Sequence, residues 1–195
     1  DVICVCAPAK YHEKIKEWAF KYGITKMLIL AESGKERYES VYNGIMALPA
    51  KARDTVIIMT AVCPFVSQKT MDKLYEQISL YDASITVIKA TDAITFSNNG
   101  KMVNRTLQKK KLFVQQGPQI YRYSVLKQAH QSYLQDEQRV EVNEDSELVL
   151  NLGVECSMVM GDRFCIKVTY PEDLAIAEAL YPLFIEQEKL YGGGK

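Results

Sequence analysis

The sequence has no surplus of either charge, because 24 lysines and arginines balance 24 aspartates and glutamates. A neutral chain lacks the field that bulk nucleic-acid or anionic-membrane binding needs, which argues against both as partners. Histidine is scarce: only His12 and His130 occur, far apart, so a histidine-based metal site or catalytic triad has little support. The five cysteines are odd in number and form neither a CxxC motif nor a Cys/His cluster. Buried, reduced thiols are the expectation, and with them a cytoplasmic location. The longest apolar run is broken by Pro64 and is too short to span a bilayer, and no signal peptide is visible. An initiator Met is also missing: the chain enters a strand at once, as a fragment does.

What is present is an alternation of strands and helices. The 195 residues suffice for one good-sized core and fit one domain, 1–195. VICVC (2–6) is a continuous apolar run, as in a strand buried on both faces, with Cys4 and Cys6 on the same side. Residues 9–22 carry Ile15, Trp18, Ala19 and Tyr22 at helical spacing, and Gly23 stops that helix. Strands are expected at 27–31, 56–59 and 84–90, with helices between them. One helix turns Val41, Ile45 and Leu48 inward; the next is capped by Ser67 and turns Met71, Leu74, Tyr75 and Ile78 inward. This order predicts an α/β fold: a Rossmann-like, mostly parallel sheet with helices on both faces.

The pattern breaks at Thr91. Two β-rich runs flank Asn99-Gly100, a strong hairpin signal, so 91–121 reads as a β-arm protruding from the sheet. A two-stranded arm is marginal alone, and a second subunit is the natural surface for it. Beyond it come a helix (123–133), strands at 156–160 and 165–168, and a last helix opened by Pro171. That helix is expected to turn Leu174, Ala177, Leu180, Leu183 and Phe184 inward. The closing GGGK is expected to be disordered.

Four stretches carry chemical interest. SGKERYESVYNG joins a strand end to a helix; Gly34 permits close backbone approach, and the helix N-terminus offers free N–H groups to an anion. The alternative is a plain turn with a solvated Lys35-Glu36-Arg37 triplet. VIIMTAVCPFV (56–66) brings a buried strand to its end without one charged group, at the strand end where ligands of open α/β folds bind. Lys109-Lys110-Lys111 is the only basic run, read either as protection of an edge hairpin or as a phosphate grip. Lys167 lies near a strand end, where a lone lysine is a surface residue more often than a phosphate ligand. The acidic patch Glu141, Glu144, Asp145 and Glu147 suits a helix N-terminus at least as well as a metal.

Taken in order, SGKERYESVYNG, CPFVS, TDAI, QQGPQIY, DSELVLNLG and IKVTYPEDLAIAEAL resemble one family, the 2-C-methyl-D-erythritol 4-phosphate cytidylyltransferases, together with the related ribitol-5-phosphate cytidylyltransferases. The resemblance covers nearly the whole chain. It implies transfer of CMP from CTP to a sugar-alcohol (polyol) phosphate with release of pyrophosphate, Mg²⁺ as cofactor, and a homodimer joined through the 91–121 arm. It also implies a nucleotide-binding role for Gly34, Lys35, Ser40 and Ala61. Lys167 would contact phosphate, Lys109 the acceptor phosphate, possibly in trans, and Asp92 the acceptor.

The departures fall where the family keeps its chemistry. Against the family's HDAARPF, Met59 stands for His, Thr60 for an Asp tied to metal and nucleotide, and Cys63 for Arg. Ala93 and Gly117 replace threonines, Asn143-Glu144 a Thr-Asp pair, and Cys165 an Asn. The family's opening strand, Gly-rich loop and helix precede anything in this sequence, so a gap in the sheet is expected. Three functions follow from these readings: a slow or inactive cytidylyltransferase, a non-catalytic family member acting through its arm, or a nucleotide-binding module.

Overall fold

The computed structural model describes residues 1–192; of the GGGK tail expected to be disordered, Gly192 instead ends the last helix, and 193–195 lie outside the described residues. The chain packs as two compact units, each drawing on two stretches of sequence. One comprises Asp1–Val56 with Arg122–Glu155, the other Ile57–Tyr121 with Cys156–Lys195.

In the first unit, β1 (Val2–Ala7) and β2 (Met27–Glu32) pair in parallel, from Val2 opposite Met27 to Ala7 opposite Glu32. A parallel pair needs a crossover, which a single 3₁₀ turn (Ala9–Tyr11) and α1 (His12–Lys21) supply. Helix α2 (Arg37–Ala47) packs on both strands. The α4 helix (Tyr123–Gln135) packs on α2, and α5 (Asp145–Asn151) packs on α4. Two strands make a narrow floor, and α1 buries only a narrow stripe. Ile15 and Ala19 are half-buried, but Trp18 and Tyr22, expected inward, are 48% and 69% exposed. Their rings carry lysine ammoniums instead, Lys14 over Trp18 at 5.0 Å and Lys21 over Tyr22 at 5.3 Å.

The second unit holds α3 (Gln68–Ile78), β4 (Ala83–Lys89), β5 (Thr95–Phe96), β6 (Arg105–Thr106), β7 (Phe113–Arg122), β8 (Ser157–Met160) and α6 (Pro171–Gly192). With β3 (Thr55–Ile58), three of these strands form a four-stranded sheet ordered β3-β7-β4-β8. The β4–β8 pair is parallel and the β4–β7 pair antiparallel, with a register break between Ile85 and Thr86. Ser67 caps α3 as expected, its side chain accepting from the Thr70 amide. Leu74 and Ile78 of α3 meet Ile120 and Val159 of the sheet in a buried cluster, with Ile57 and Met71 at its margin. Tyr75 faces solvent.

Three expectations change here. The arm read over 91–121 ends sooner, because Phe113–Arg122 joins the sheet as β7 and buries Ile120 and Tyr121 completely. What stands out from the sheet is a ladder of two residue pairs, Thr95–Thr106 and Phe96–Arg105, with a long tip in which Gly100 takes φ +68°. Residues 165–168 join no ladder; isolated bonds hold them, such as the Val168 amide to the Val62 carbonyl at 2.9 Å. On α6 the inward stripe is Ala177, Leu180 and Phe184. Leu174 and Leu183 lie about a quarter turn to either side of it and are 58% and 53% exposed. The β1–β2 pair and the four-stranded sheet are separately hydrogen-bonded among the described residues. No described helix is long and apolar enough to cross a membrane.

Leu74 has no exposed surface and sits at the centre of the buried cluster. Leu74→Ala is expected to lower unfolding free energy by about 2–5 kcal/mol. Urea titration followed by circular dichroism should show a lower midpoint with an unchanged slope.

Candidate functional site

The loop of the first unit is built around one glutamate. Glu36 and Glu39 form a reciprocal capping box at the start of α2. The Glu39 carboxylate accepts from the Lys35 amide at 2.7 Å and the Glu36 amide at 3.2 Å. Those bonds, Glu36 first, hold its pKa below the usual carboxylate value. Ser40 Oγ accepts from the Gly34 amide at 3.0 Å and donates to the Glu36 carbonyl at 3.2 Å. Gly34 is required by space: a Cβ there would lie 2.1 Å from Glu39 Cβ. Gly34, Lys35 and Ser40 are thus brought together in one loop whose shape the backbone and two short side chains set.

Behind that loop lies an ion network that the sequence reading missed. Asp145, the first residue of α5, is fully buried. Its Oδ2 accepts from the Arg37 guanidinium at 2.5 Å and its Oδ1 pairs with His130 Nε2 at 2.9 Å. His130 is itself fully buried on α4, with the Tyr42 ring stacked at 6.4 Å. Arg37 also meets Glu144 at 3.0 Å. Burial acts to raise the Asp145 pKa, but the His130 hydrogen bond and the Arg37 charge outweigh it, so the carboxyl titrates below its ordinary value. One signal for this was in the sequence. A cation at the first position of a helix opposes the helix dipole, so Arg37 needed a carboxylate partner. Asn143, just before this carboxylate pair, donates its amide to Glu147 at 3.1 Å.

The second unit gathers most of the substituted positions. The Cys63 amide donates to the Thr60 carbonyl at 2.9 Å, turning the chain after β3 with Ala61 exposed. Gly117 faces Thr60: a Cβ on it would touch the Thr60 amide at 3.5 Å, ordinary contact distance. The Gly117–Pro118 bond is cis. Cys165 Sγ donates to the Gly117 carbonyl at 3.0 Å and interacts with Cys63. Burial, with Cys63 and Asp162 nearby, pushes the Cys165 thiol up to about 12. Thr60, Cys63, Gly117 and Cys165 therefore form one uncharged cluster. Lys167 is exposed on the neighbouring segment, next to Val168, whose amide bonds Val62.

Ala93 and Asp92 are exposed, at the root of the arm. There the Thr91 hydroxyl donates to Asp92 at 3.4 Å, and Lys109 Nζ donates to the Thr91 carbonyl at 3.0 Å. The donors around Thr60 are a hydroxyl and thiols, whereas Mg²⁺ takes hard oxygen ligands with carboxylates among them. Asp162, the carboxylate that acts on Cys165, already accepts from Ser67 Oγ and the Phe164 amide. These residues do not fit a protein-held Mg²⁺.

The fold places the chain among Rossmann-like α/β proteins. The crystal structure of 4-diphosphocytidyl-2C-methyl-D-erythritol synthase from Anaerococcus prevotii DSM 20548 superposes with a TM-score of 0.83 at 23% identity, covering 93% of this chain and 79% of that one. In sequence, the 2-C-methyl-D-erythritol 4-phosphate cytidylyltransferase of Pelotomaculum thermopropionicum is 31% identical over 182 residues, 92% of this chain and 74% of its own length. The enzyme of the same description from Geobacillus kaustophilus is 31% identical over 179 residues, 92% of this chain and 76% of its own. The family model for 2-C-methyl-D-erythritol 4-phosphate cytidylyltransferase matches residues 1–182. The chain belongs to that family.

Asp145 gives the site a pH signature. Its folded pKa lies below the ordinary 3.8, so its stabilisation is present above that value and is lost as pH falls through the folded one. Acid titration between about pH 4 and pH 2 should show wild-type stability falling more steeply than that of Asp145→Asn.

Proposed function

We propose that the protein transfers CMP from CTP to a sugar-alcohol phosphate of the methylerythritol phosphate class, and does so slowly. The observation that carries this reading is the family match over residues 1–182, within which the 33–40 loop keeps its closed shape around Glu39. An acceptor phosphate oxygen attacks the α-phosphorus of CTP. The bond from that phosphorus to the bridging oxygen breaks, and pyrophosphate leaves. The acceptor phosphate is already anionic, so the step needs no general base.

Gly34, Lys35, Ser40 and Ala61 are assigned to the nucleotide, Lys167 to its phosphates, and Asp92 and Lys109 to the acceptor. Lys109 reaches the acceptor in trans through the arm of a homodimer. No step is routed through a metal, because the donors at Thr60 do not fit one. The low rate follows from the uncharged cluster. Removing one well-placed charge from such a site commonly lowers turnover about 10²–10³-fold.

The same cluster favours a second reading, a family member that keeps the fold and has lost turnover. Pyrophosphate release with CTP, Mg²⁺ and either methylerythritol 4-phosphate or ribitol 5-phosphate separates the two. We expect release with methylerythritol phosphate at well under the common enzyme rate of about 10 s⁻¹, and a further loss of about 100-fold in Lys167→Ala. CTP at 100 times Kd should stabilise the fold by about 2.7 kcal/mol, an effect that Gly34→Val should abolish. Nucleotide stabilisation without pyrophosphate from either acceptor would replace the first reading with the second.

A further inference from the structure

Arg37 is the first residue of α2 and lies within the Gly34–Ser40 segment, but it is not among the residues assigned to the nucleotide. Its backbone follows Glu36, whose amide and carbonyl both bond within that loop. Its guanidinium leaves the loop to reach Asp145 at 2.5 Å and Glu144 at 3.0 Å, residues that directly follow Asn143. One side chain therefore joins two stretches more than a hundred residues apart in sequence, and each holds a position compared above with family site residues.

The joint is rigid at its far end. Asp145 has no exposed surface, and both of its carboxylate oxygens are engaged, one by Arg37 and one by His130. His130 is buried on α4 beside Tyr42 of α2, so the carboxylate is gripped between the two helices it must align. His130 Nδ1 is buried with no hydrogen-bond partner among the described residues. The ring is thus oriented by Asp145 on one edge and by packing elsewhere. A hydrophobic contact would tolerate slippage here. A short bond between a planar guanidinium and a buried carboxylate fixes both distance and direction.

We propose that Arg37 is a positioning residue for the transfer reaction. Through Asp145, itself held by His130, it sets the height of the Gly34–Ser40 loop and the start of α5 without touching substrate. This rests on the reading that the loop binds CTP. The geometry predicts a graded response. Arg37→Lys keeps the charge but loses the planar guanidinium whose Nη2 meets both carboxylates, so it should recover only part of the function. Arg37→Gln removes the charge and leaves Asp145 with His130 alone.

The test uses the intact chain and its Arg37→Lys, Arg37→Gln and Asp145→Asn forms, each first checked for folding by circular dichroism. Hydrogen exchange at the amides of residues 34–36 reports the loop directly, without substrate. KM for CTP and kcat report its consequence. Exchange at 34–36 should quicken by about tenfold or more in Arg37→Gln and Asp145→Asn, less in Arg37→Lys, with exchange in α3 unchanged. Turnover should fall about 10- to 100-fold, mainly as a rise in KM for CTP, since a displacement of about 1 Å has effects of that size.

If Arg37→Gln does not fold, Asp145→Asn and Arg37→Lys carry the comparison. Unchanged exchange at 34–36 in the folded variants overturns the proposal, whether or not the wild type turns over. Wild-type protein that shows no turnover but a loosened loop in the variants overturns the transfer reading alone, leaving Arg37 as the anchor of the loop. Quickened exchange with kcat and KM unaltered also overturns the positioning role.

Discussion

The Asp145 carboxylate has no contact with solvent. A buried charge is tolerable only with its hydrogen-bonding capacity met, and removing one partner of such a pair typically costs about 3–5 kcal/mol. That constraint organises the first unit. It demands a cation from the start of α2 and an N–H from α4, and so ties together three segments that the chain order separates. The helices then meet through rings as well as charges, with Tyr38 edge-on to Tyr133 at 5.0 Å and Tyr42 stacked on His130. The loop ahead of α2 inherits its position from this arrangement, and its shape from the Glu36–Glu39 capping box.

The second unit shows a different economy. At the positions compared with an Arg, a Thr and an Asn of the family, the chain has Cys63, Gly117 and Cys165, and these residues contact one another. The Cys165 thiol bonds the Gly117 carbonyl and interacts with Cys63, and the chain around Thr60 closes on itself through the Cys63 amide. A half-buried thiol whose pKa is pushed to about 12 stays neutral at physiological pH. A charge restored here would meet a thiol and a backbone carbonyl already bonded to each other, with the Asp162 carboxylate beside Cys165.

Much of the fold was legible in local pattern. Short apolar runs marked β1, β2, β3 and β4 to within a residue or so, and Ser67 announced α3, because strand and cap signals are local. What failed depended on partners. Trp18, Tyr22, Leu174 and Leu183 have the right spacing for a buried face, but spacing records a helix's own periodicity and not the width of the surface it meets. Phe113–Arg122 read as arm because its Gly-Pro resembles a turn; its apolar end instead completes a sheet. The site divided along the same line. The closed loop at Gly34 and Ser40 follows from residues within seven positions of one another, whereas Arg37, His130 and Asp145 become one network only when distant segments are folded together.

Recognition of a nucleotide and chemistry on it draw on different physical resources. A base can be read by backbone donors and short hydroxyls, which survive as long as the loop keeps its shape. Moving a phosphoryl group depends on charge placed against charge, and a site with uncharged residues at Thr60 and Cys63 has little of it to place. On the function proposed above, a chain with the Glu39-centred loop and a neutral Thr60 cluster is expected to be weaker in turnover than in binding. On that proposal the buried network at Asp145 serves the shape of the loop and not the rate, because it fixes Arg37 at the start of α2.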